Sequence, residues 1–341
     1  MAKTQKTKDW QDLPDDEIMQ IRVRDLNVQV SGSEVEPLVI RLYAELDAKG
    51  IDFHPPCYLA DEWLCPDKVP IIGIPFCLAH PRLKSIEQKM MLEVEGGTEQ
   101  ACIKLLRHEC GHALNYAYKL YQKTRWRQLF GRFTARYSDY YHYQPYSRRF
   151  VIHLQDYYAQ AHPDEDFAET FAVWLEPDSP WQLKYRNWPV IKKLQYVDYL
   201  MSTVCNQPPL VTARQKPPWS ASRMTSTLAA YYQRKREALG TEFHGFYDDS
   251  LRTLFTTKHS DSKIKASKLL RRHRRRIIDS VAGWTGHRKY DIYRLVNKFV
   301  ARCEALQLYA ASNETDNLIG LTALLTAIAN STLTINKSKH K

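Results

Sequence analysis

The stretch LLRHECGHAL, residues 105–114, sets His108 and His112 four positions apart, with Glu109 directly after the first histidine. It lies in the middle of TEQACIKLLRHECGHALNYAYKLYQK, residues 98–123, which reads as one helix beginning near Thr98. On a helix, positions i and i+4 share a face, so both histidines can present a ring nitrogen to a single metal ion. Glu109 is then expected beside the water that a zinc ion would activate. That is the arrangement for metal-assisted hydrolysis, in which zinc polarises the scissile carbonyl and the glutamate takes a proton from water and passes it to the leaving amine. Gly111 leaves room for something to approach this helix closely. A helix that merely carries two histidines is the competing reading, and the choice turns on whether a third ligand exists.

HPDEDFAETF, residues 162–171, supplies one: Glu165 and Glu169 stand four apart, and Glu165 lies 53 residues after His112. Pro163 suits the first turn of a helix, which is expected to end by Pro177. Two carboxylates on one helical face beside Phe167, Phe171 and Trp174 are costly unless something binds them. One glutamate completes a set of two histidines and a carboxylate around zinc, and the other can accept a hydrogen bond from the far nitrogen of a ligand histidine. Asp164, Glu165 and Asp166 also fit ordinary acidic residues of a helix first turn; Glu169 fits that reading less well.

The segments LLRHECGHALNYAYKL and YAQAHPDEDFAETFAVWL, preceded by PFCLAHPRL and MMLEVEGG, resemble the bacterial zinc-binding metallopeptidases of the gluzincin branch of HExxH enzymes. The resemblance covers roughly residues 15–205. It implies an α+β fold, with a zincin-like catalytic domain whose small sheet lies over the HExxH helix and whose edge strand can pair with an extended peptide. It further implies one zinc ion per chain held by His108, His112 and Glu165, with Glu169 as support for a ligand; an exchange of roles between the two glutamates remains open. Tyr158, seven residues before Glu165, stands where lethal-factor-like gluzincins carry a tyrosine that steadies an oxyanion, with Tyr157 as the neighbouring alternative. His153 and His162 read as surface or hydrogen-bonded histidines rather than ligands. Most of the 21 tyrosines, including those of YSDYYHYQPY (137–146), read as packing or surface residues.

Outward from these motifs, residues 1–13 read as a polar tail, and SEVEPLVIRLYAELDAKGI (33–51) as an amphipathic helix capped by Ser33 and stopped by Gly50. YLADEWL and VPIIGIPF read as strands flanking the turn signal Pro66-Asp67-Lys68, and RLKSIEQKMMLEVE as a helix ending at Gly96-Gly97. The metallopeptidase-like domain is expected over residues 14–205. NQPPLVTARQKPPWSAS reads as a proline-rich linker over 206–220, followed by a basic, mainly helical region, 221–341. Seven scattered cysteines without paired spacing favour reduced, buried thiols. The N-terminal residues lack the apolar stretch of an export signal, and no apolar run is long enough to span a bilayer, so a cytoplasmic location without membrane attachment is expected.

Charge divides unevenly: residues 201–341 hold 24 Lys and Arg against 10 Asp and Glu, whereas residues 1–200 hold 25 against 28. KIKASKLLRRHRRRIIDSVAGWTG (263–286) concentrates the excess, with Arg271, Arg272, Arg274, Arg275 and Arg276 as candidate polyanion-binding residues. A solvated helix face is the ordinary reading of such a run; nucleic acid or an acidic protein is the alternative partner. Two function classes therefore compete. One is a zinc peptidase acting on a peptide or protein, and the other is a metal-binding scaffold that works through the basic C-terminal region. Glu109 favours the enzyme, because a purely structural zinc site has no need of a base beside its ligand.

Overall fold

Leu38, Val39, Leu42 and Leu46 recur at helical spacing, and they form the buried stripe of α1 (Glu36–Asp47). Its end is marked by Gly50 at φ +70°, whereas Ser33 does not cap it: the Ser33 hydroxyl instead donates to the Val30 carbonyl at 2.6 Å. The computed structural model of the chain describes residues 9–137, 144–212, 217–238, 247–257, 264–310 and 313–332. Residues 1–8 of the expected tail, 138–143 of the tyrosine-rich stretch, 213–216 of the expected linker and Lys263 lie outside the described residues. The described part of the expected tail is packed rather than free: the Trp10 ring meets the edge of His80, and Arg82 donates to the Leu13 carbonyl at 3.0 Å.

The described residues are mostly helical, with a small sheet next to the histidine-bearing helix. Strands β1 (Cys57–Ala60) and β2 (Ile72–Pro75) pair in parallel, with Cys57 opposite Ile72 and Ala60 opposite Pro75. The two expected strands thus exist in shortened form and pair in parallel, while across the Pro66-Asp67-Lys68 turn only Leu64 and Gly73 meet in hairpin fashion, exchanging both main-chain hydrogen bonds at 3.2 and 2.8 Å. Gly73 lies on β2, and Ser220 bridges to Ala60 on β1. Positions on both strands therefore already carry pairing from the chain itself, which narrows the edge open to an extended peptide.

Helix α2 (Pro81–Met91) stops before Leu92, which takes a left-handed backbone at φ +67°. Helix α3 (Glu99–Ala117) carries the two histidines and is capped by Thr98, whose hydroxyl accepts the Ala101 N–H at 3.2 Å. It ends earlier than the expected Lys123. Lys119 turns left-handed at φ +51°, and the Ala117 carbonyl accepts the N–H groups of both Leu210 (2.9 Å) and Val211 (3.0 Å). Helix α4 (Thr124–Phe130) brings Trp126 and Phe130 against Phe167 of α5 (Pro163–Leu175). Helix α6 (Ile191–Val204) backs α5 through Lys193, whose ammonium lies 2.5 Å from Asp166 and also donates to the Arg149 carbonyl.

Two compact units emerge, one built from Met1–Met90 and Val94–Gln233, the other from Met91–Glu93 and Arg234–Lys337. By packing, the division falls within α7 (Leu228–Ala238), which makes that helix a second candidate boundary beside the proline-rich stretch at 206–220. The described ends of that stretch, through Leu210 and Val211 on the Ala117 carbonyl and Ser220 opposite Ala60, and the first turns of α7 are stitched into the first unit. Arg22 bridges to Thr227, Val23 N–H donates to Ser226, and the N–H groups of Leu228 and Ala229 donate to Ile21 and Met19. Leu228, Tyr231 and Tyr232 are buried, and the Tyr231 hydroxyl donates to the Asp61 carbonyl. Prolines mark this segment because an extended chain that bonds through its remaining N–H groups tolerates them as readily as a free linker does.

The second unit has helices α8 (Asp248–Leu254), α9 (Ala266–Thr285), α10 (Lys289–Ala305) and α11 (Glu314–Thr332), with a two-residue antiparallel pair, β3 (Phe255–Thr256) and β4 (Tyr309–Ala310). Its core gathers Leu269, Leu270, Ile277 and Val281 of α9 with Ile292, Leu295 and Phe299 of α10 and Leu321 and Leu325 of α11. All seven cysteines are free thiols, five of them buried. Among the described residues, no helix is long and apolar enough to cross a membrane.

Candidate metal centre

The centre lies where α3 and α5 touch. Gly111 permits the contact: a Cβ there would fall 2.8 Å from the Ala168 Cα and 3.0 Å from the Ala168 carbonyl oxygen. The room that Gly111 leaves is thus filled by the backbone of α5, and the acidic face of that helix meets the histidine face of α3. A second anchor fixes the far side of α3. Arg107 is buried and donates two hydrogen bonds to Glu45 of α1, at 2.7 and 2.8 Å, and a third to Glu176 just past α5, at 3.0 Å.

His108, His112 and Glu165, all buried, bring one donor atom each to a common point. The Nε2 atoms of the two histidines are 3.2 Å apart, and Glu165 Oε2 lies 3.1 Å from the first and 3.2 Å from the second. Tetrahedral ligands at about 2.0–2.1 Å from zinc stand about 3.3 Å from one another. The spacing and the donor types therefore fit a zinc ion, and the buried carboxylates of Asp164, Glu165 and Glu169 in the same cluster suit a cation among them.

The remaining ring nitrogens face carboxylates. His108 Nδ1 is 2.7 Å from Glu169 Oε1, and the other Glu169 oxygen accepts the Leu154 N–H at 2.9 Å. His112 Nδ1 is 3.0 Å from Asp164 Oδ2, and Asp164 also accepts from Asn115 Nδ2 (2.9 Å) and the Tyr116 hydroxyl (2.6 Å). The hydrogen bond to Glu169 orients His108 to turn Nε2 towards the shared point, whereas the approach of His112 Nδ1 to Asp164 is a close contact without hydrogen-bond geometry. Burial alone would lower the His108 imidazole, but the hydrogen bonds to Glu165 and Glu169 override it and raise it to about 10. Burial would also raise Glu169, yet His108 outweighs it and holds that carboxylate low.

Glu109 is buried, and its charge reaches Tyr58 on β1, whose hydroxyl is pushed up by burial first and by nearby Cys65, Asp61 and Glu109 after it. The Tyr158 ring lies 5.7 Å from the His108 ring, alongside the centre. His153 and His162 stand outside the donor set; both are buried, and each has Nε2 on a main-chain carbonyl, Lys104 at 3.0 Å and Ala135 at 2.9 Å. His162 Nδ1 also accepts the Asp164 N–H at 3.1 Å, capping α5.

Sequence reasoning missed Asp164, Asn115, Tyr116 and Tyr137. The first three had a signal: Asn115 and Tyr116 follow His112 by three and four positions, and so share its helical face, while Asp164 immediately precedes Glu165. Tyr137 had none beyond its place in a tyrosine-rich stretch. Its hydroxyl donates to Glu165 Oε1 at 3.0 Å, and burial, reinforced by the charges of Glu165 and Asp164, raises the phenol so that it remains a donor.

Comparison with known proteins bears on this one segment. Residues 96–178 match the family model described as "Putative zinc-binding metallo-peptidase". The match covers about a quarter of the chain, and it contains both α3 and α5, hence the whole donor set. No curated protein matches the chain, and no solved structure does.

On the second unit, the candidate polyanion-binding arginines are largely engaged at the surface. Arg271 pairs with Glu304 at 2.7 Å, Arg272 with Glu314 at 3.3 Å, and Arg275 approaches Asp279 at 3.9 Å. Arg274 donates to Asn297 and lies over the Tyr293 ring. Arg276 is exposed.

Proposed function

We propose that the first unit is a zinc-dependent peptidase of gluzincin type with a zincin-like fold, binding one zinc ion per chain through His108, His112 and Glu165. The observation that carries this reading is the convergence of two histidine Nε2 atoms and Glu165 Oε2 within 3.1–3.2 Å of one another, with both Nδ1 atoms facing carboxylates. When bound, zinc supplies Lewis acidity towards a carbonyl and makes water a competent nucleophile near neutral pH. Glu169 holds the His108 imidazole in the tautomer that frees Nε2, and Asp164 faces Nδ1 of His112. Glu109, next to the first ligand in sequence, takes the proton from the attacking water and returns it to the leaving amine. Tyr158 donates a hydrogen bond to the oxygen that gains charge as the carbonyl is attacked. The substrate is a peptide or protein segment.

The test is Glu109→Gln, which preserves size and leaves the three ligands in place. Zinc content should stay near that of the wild type, while cleavage of a mixed peptide library falls by ~10² to 10⁴, the usual loss for a positioned general base. Equal cleavage by the two proteins would sink the mechanism, and no cleavage by either would favour the scaffold reading.

A second reading attaches to the other unit. Trp284 is 81 % exposed at the end of α9, and it lies eight residues, about two helical turns, after Arg276. An exposed aromatic ring on the same helix as exposed cations, about 12 Å along the axis from Arg276, suits a polyanion with stacking bases that tracks along the helix, such as a single-stranded nucleic acid.

A further inference from the structure

We propose that Tyr137 is a positioning residue that limits Glu165 to one ligand oxygen, an inference that rests on the zinc reading above. A carboxylate can meet a metal through one oxygen or through both. Here the two oxygens have separate partners: Oε2 lies 3.1 and 3.2 Å from the Nε2 atoms of His108 and His112, while Oε1 accepts the Tyr137 hydroxyl at 3.0 Å. With Oε1 occupied, the carboxylate offers a single atom to the ion. Two histidines and one oxygen then leave a position for water or substrate, as a hydrolytic site requires.

The phenol is itself held in place. Its ring stacks on His162, with centroids 3.7 Å apart and planes 14° from parallel. His162 is fixed at both nitrogens, since Nδ1 accepts the Asp164 N–H and Nε2 sits 2.9 Å from the Ala135 carbonyl. The residue that caps α5 therefore also sets the plane of Tyr137, and Tyr137 sets the rotation of the Glu165 carboxylate in the first turn of the same helix. His162 thus acts on the centre without contributing a donor atom to it.

The experiment uses the full chain, stripped with a chelator and titrated with zinc against a chromogenic competitor, and in parallel loaded with cobalt(II) for visible spectroscopy. Tyr137→Phe should weaken zinc binding by ~10- to 100-fold, the usual effect of removing a group that orients a ligand. Its cobalt absorption should fall as the freed Oε1 adds a contact to the ion. Tyr43→Phe removes a hydroxyl that donates to the Pro55 carbonyl, far in the hydrogen-bond network from Glu165, and should match the wild type in both measurements. His162→Asn retains a good capping side chain for α5 but removes the ring beneath Tyr137. It should shift both measurements in the same direction as Tyr137→Phe, and it decides the matter should that variant fail to fold. Wild-type affinity and spectrum in Tyr137→Phe, or in His162→Asn if only that protein folds, would overturn the proposal. A wild-type protein that takes up no zinc would instead bring down the metal reading itself, and the proposal with it.

Discussion

Gly111 on α3 faces Ala168 on α5 so closely that a single added carbon at position 111 would stand 2.8 Å from the Ala168 Cα. The obstacle is backbone, which cannot swing aside as the end of a long side chain would. Gly111→Ala is therefore expected to push the two helices apart, with a stability loss of about 1–3 kcal/mol typical of overpacking. Because the donors sit on both helices, zinc affinity should fall as well. Thermal melting with metal analysis checks this; an unaltered melting temperature together with full zinc content would show that the contact yields without cost.

The acids of α5 should rank by what they touch. Glu165→Ala removes the atom that faces both Nε2 nitrogens and should abolish stoichiometric zinc. Glu169→Ala removes the partner of the His108 Nδ1 nitrogen and Asp164→Ala the carboxylate facing that of His112, and each should weaken binding by ~10- to 100-fold. Zinc titration of the three variants reads the order directly, and a Glu169 variant worse than the Glu165 variant would exchange their roles.

Truncation distinguishes the two candidate boundaries. A chain ending at Gln233 keeps Leu228, Tyr231 and Tyr232 in the first unit, and should remain soluble and bind zinc. One ending at Ser220 loses those buried side chains and the bonds to Met19 and Ile21, and should be insoluble or metal-poor. Equal behaviour of the two would return the boundary to the proline-rich stretch.

The basic helix offers a graded test. Neutralising Arg275 and Arg276 should weaken binding to a single-stranded oligonucleotide and flatten its dependence on salt, whereas Arg271 and Arg272, held by Glu304 and Glu314, should contribute less. Trp284→Ala should weaken binding by about 1–3 kcal/mol if a base stacks there. A gel shift at two salt concentrations suffices, and binding untouched by all these changes would leave α9 as a solvated surface.

The parts of this architecture legible in the sequence are those carried by local spacing. His108 and His112 reveal themselves by the helical period, as do Glu165 and Glu169 and the apolar stripe of α1. Parallel pairing of β1 with β2 is not local in that sense; the Pro66-Asp67-Lys68 turn closes an antiparallel pair between Leu64 and Gly73 only, and nothing in its spacing announces that Cys57–Ala60 will lie parallel to Ile72–Pro75. Asp164 was hidden by its position, since an acid in a helix first turn already has a sufficient reason to be there. The bonding of Leu210, Val211 and Ser220 was hidden by composition, because the prolines and polar residues of this stretch suit a free linker and a bonded extended chain equally. Arg107 gave no sign at all that it would be buried: an arginine beside a histidine motif looks like surface until Glu45 and Glu176 are seen around it.

The bonds from Leu228 and Ala229 back to Ile21 and Met19 also impose an order of events during synthesis. A chain leaving the ribosome has produced both donor-bearing helices long before the residues that close the unit against its own beginning. Long-range closure of this kind is slow, because most of the chain must be gathered before the first of these contacts can form. The nascent protein must therefore pass through a stage in which the histidines and acids already exist but the unit around them is still open.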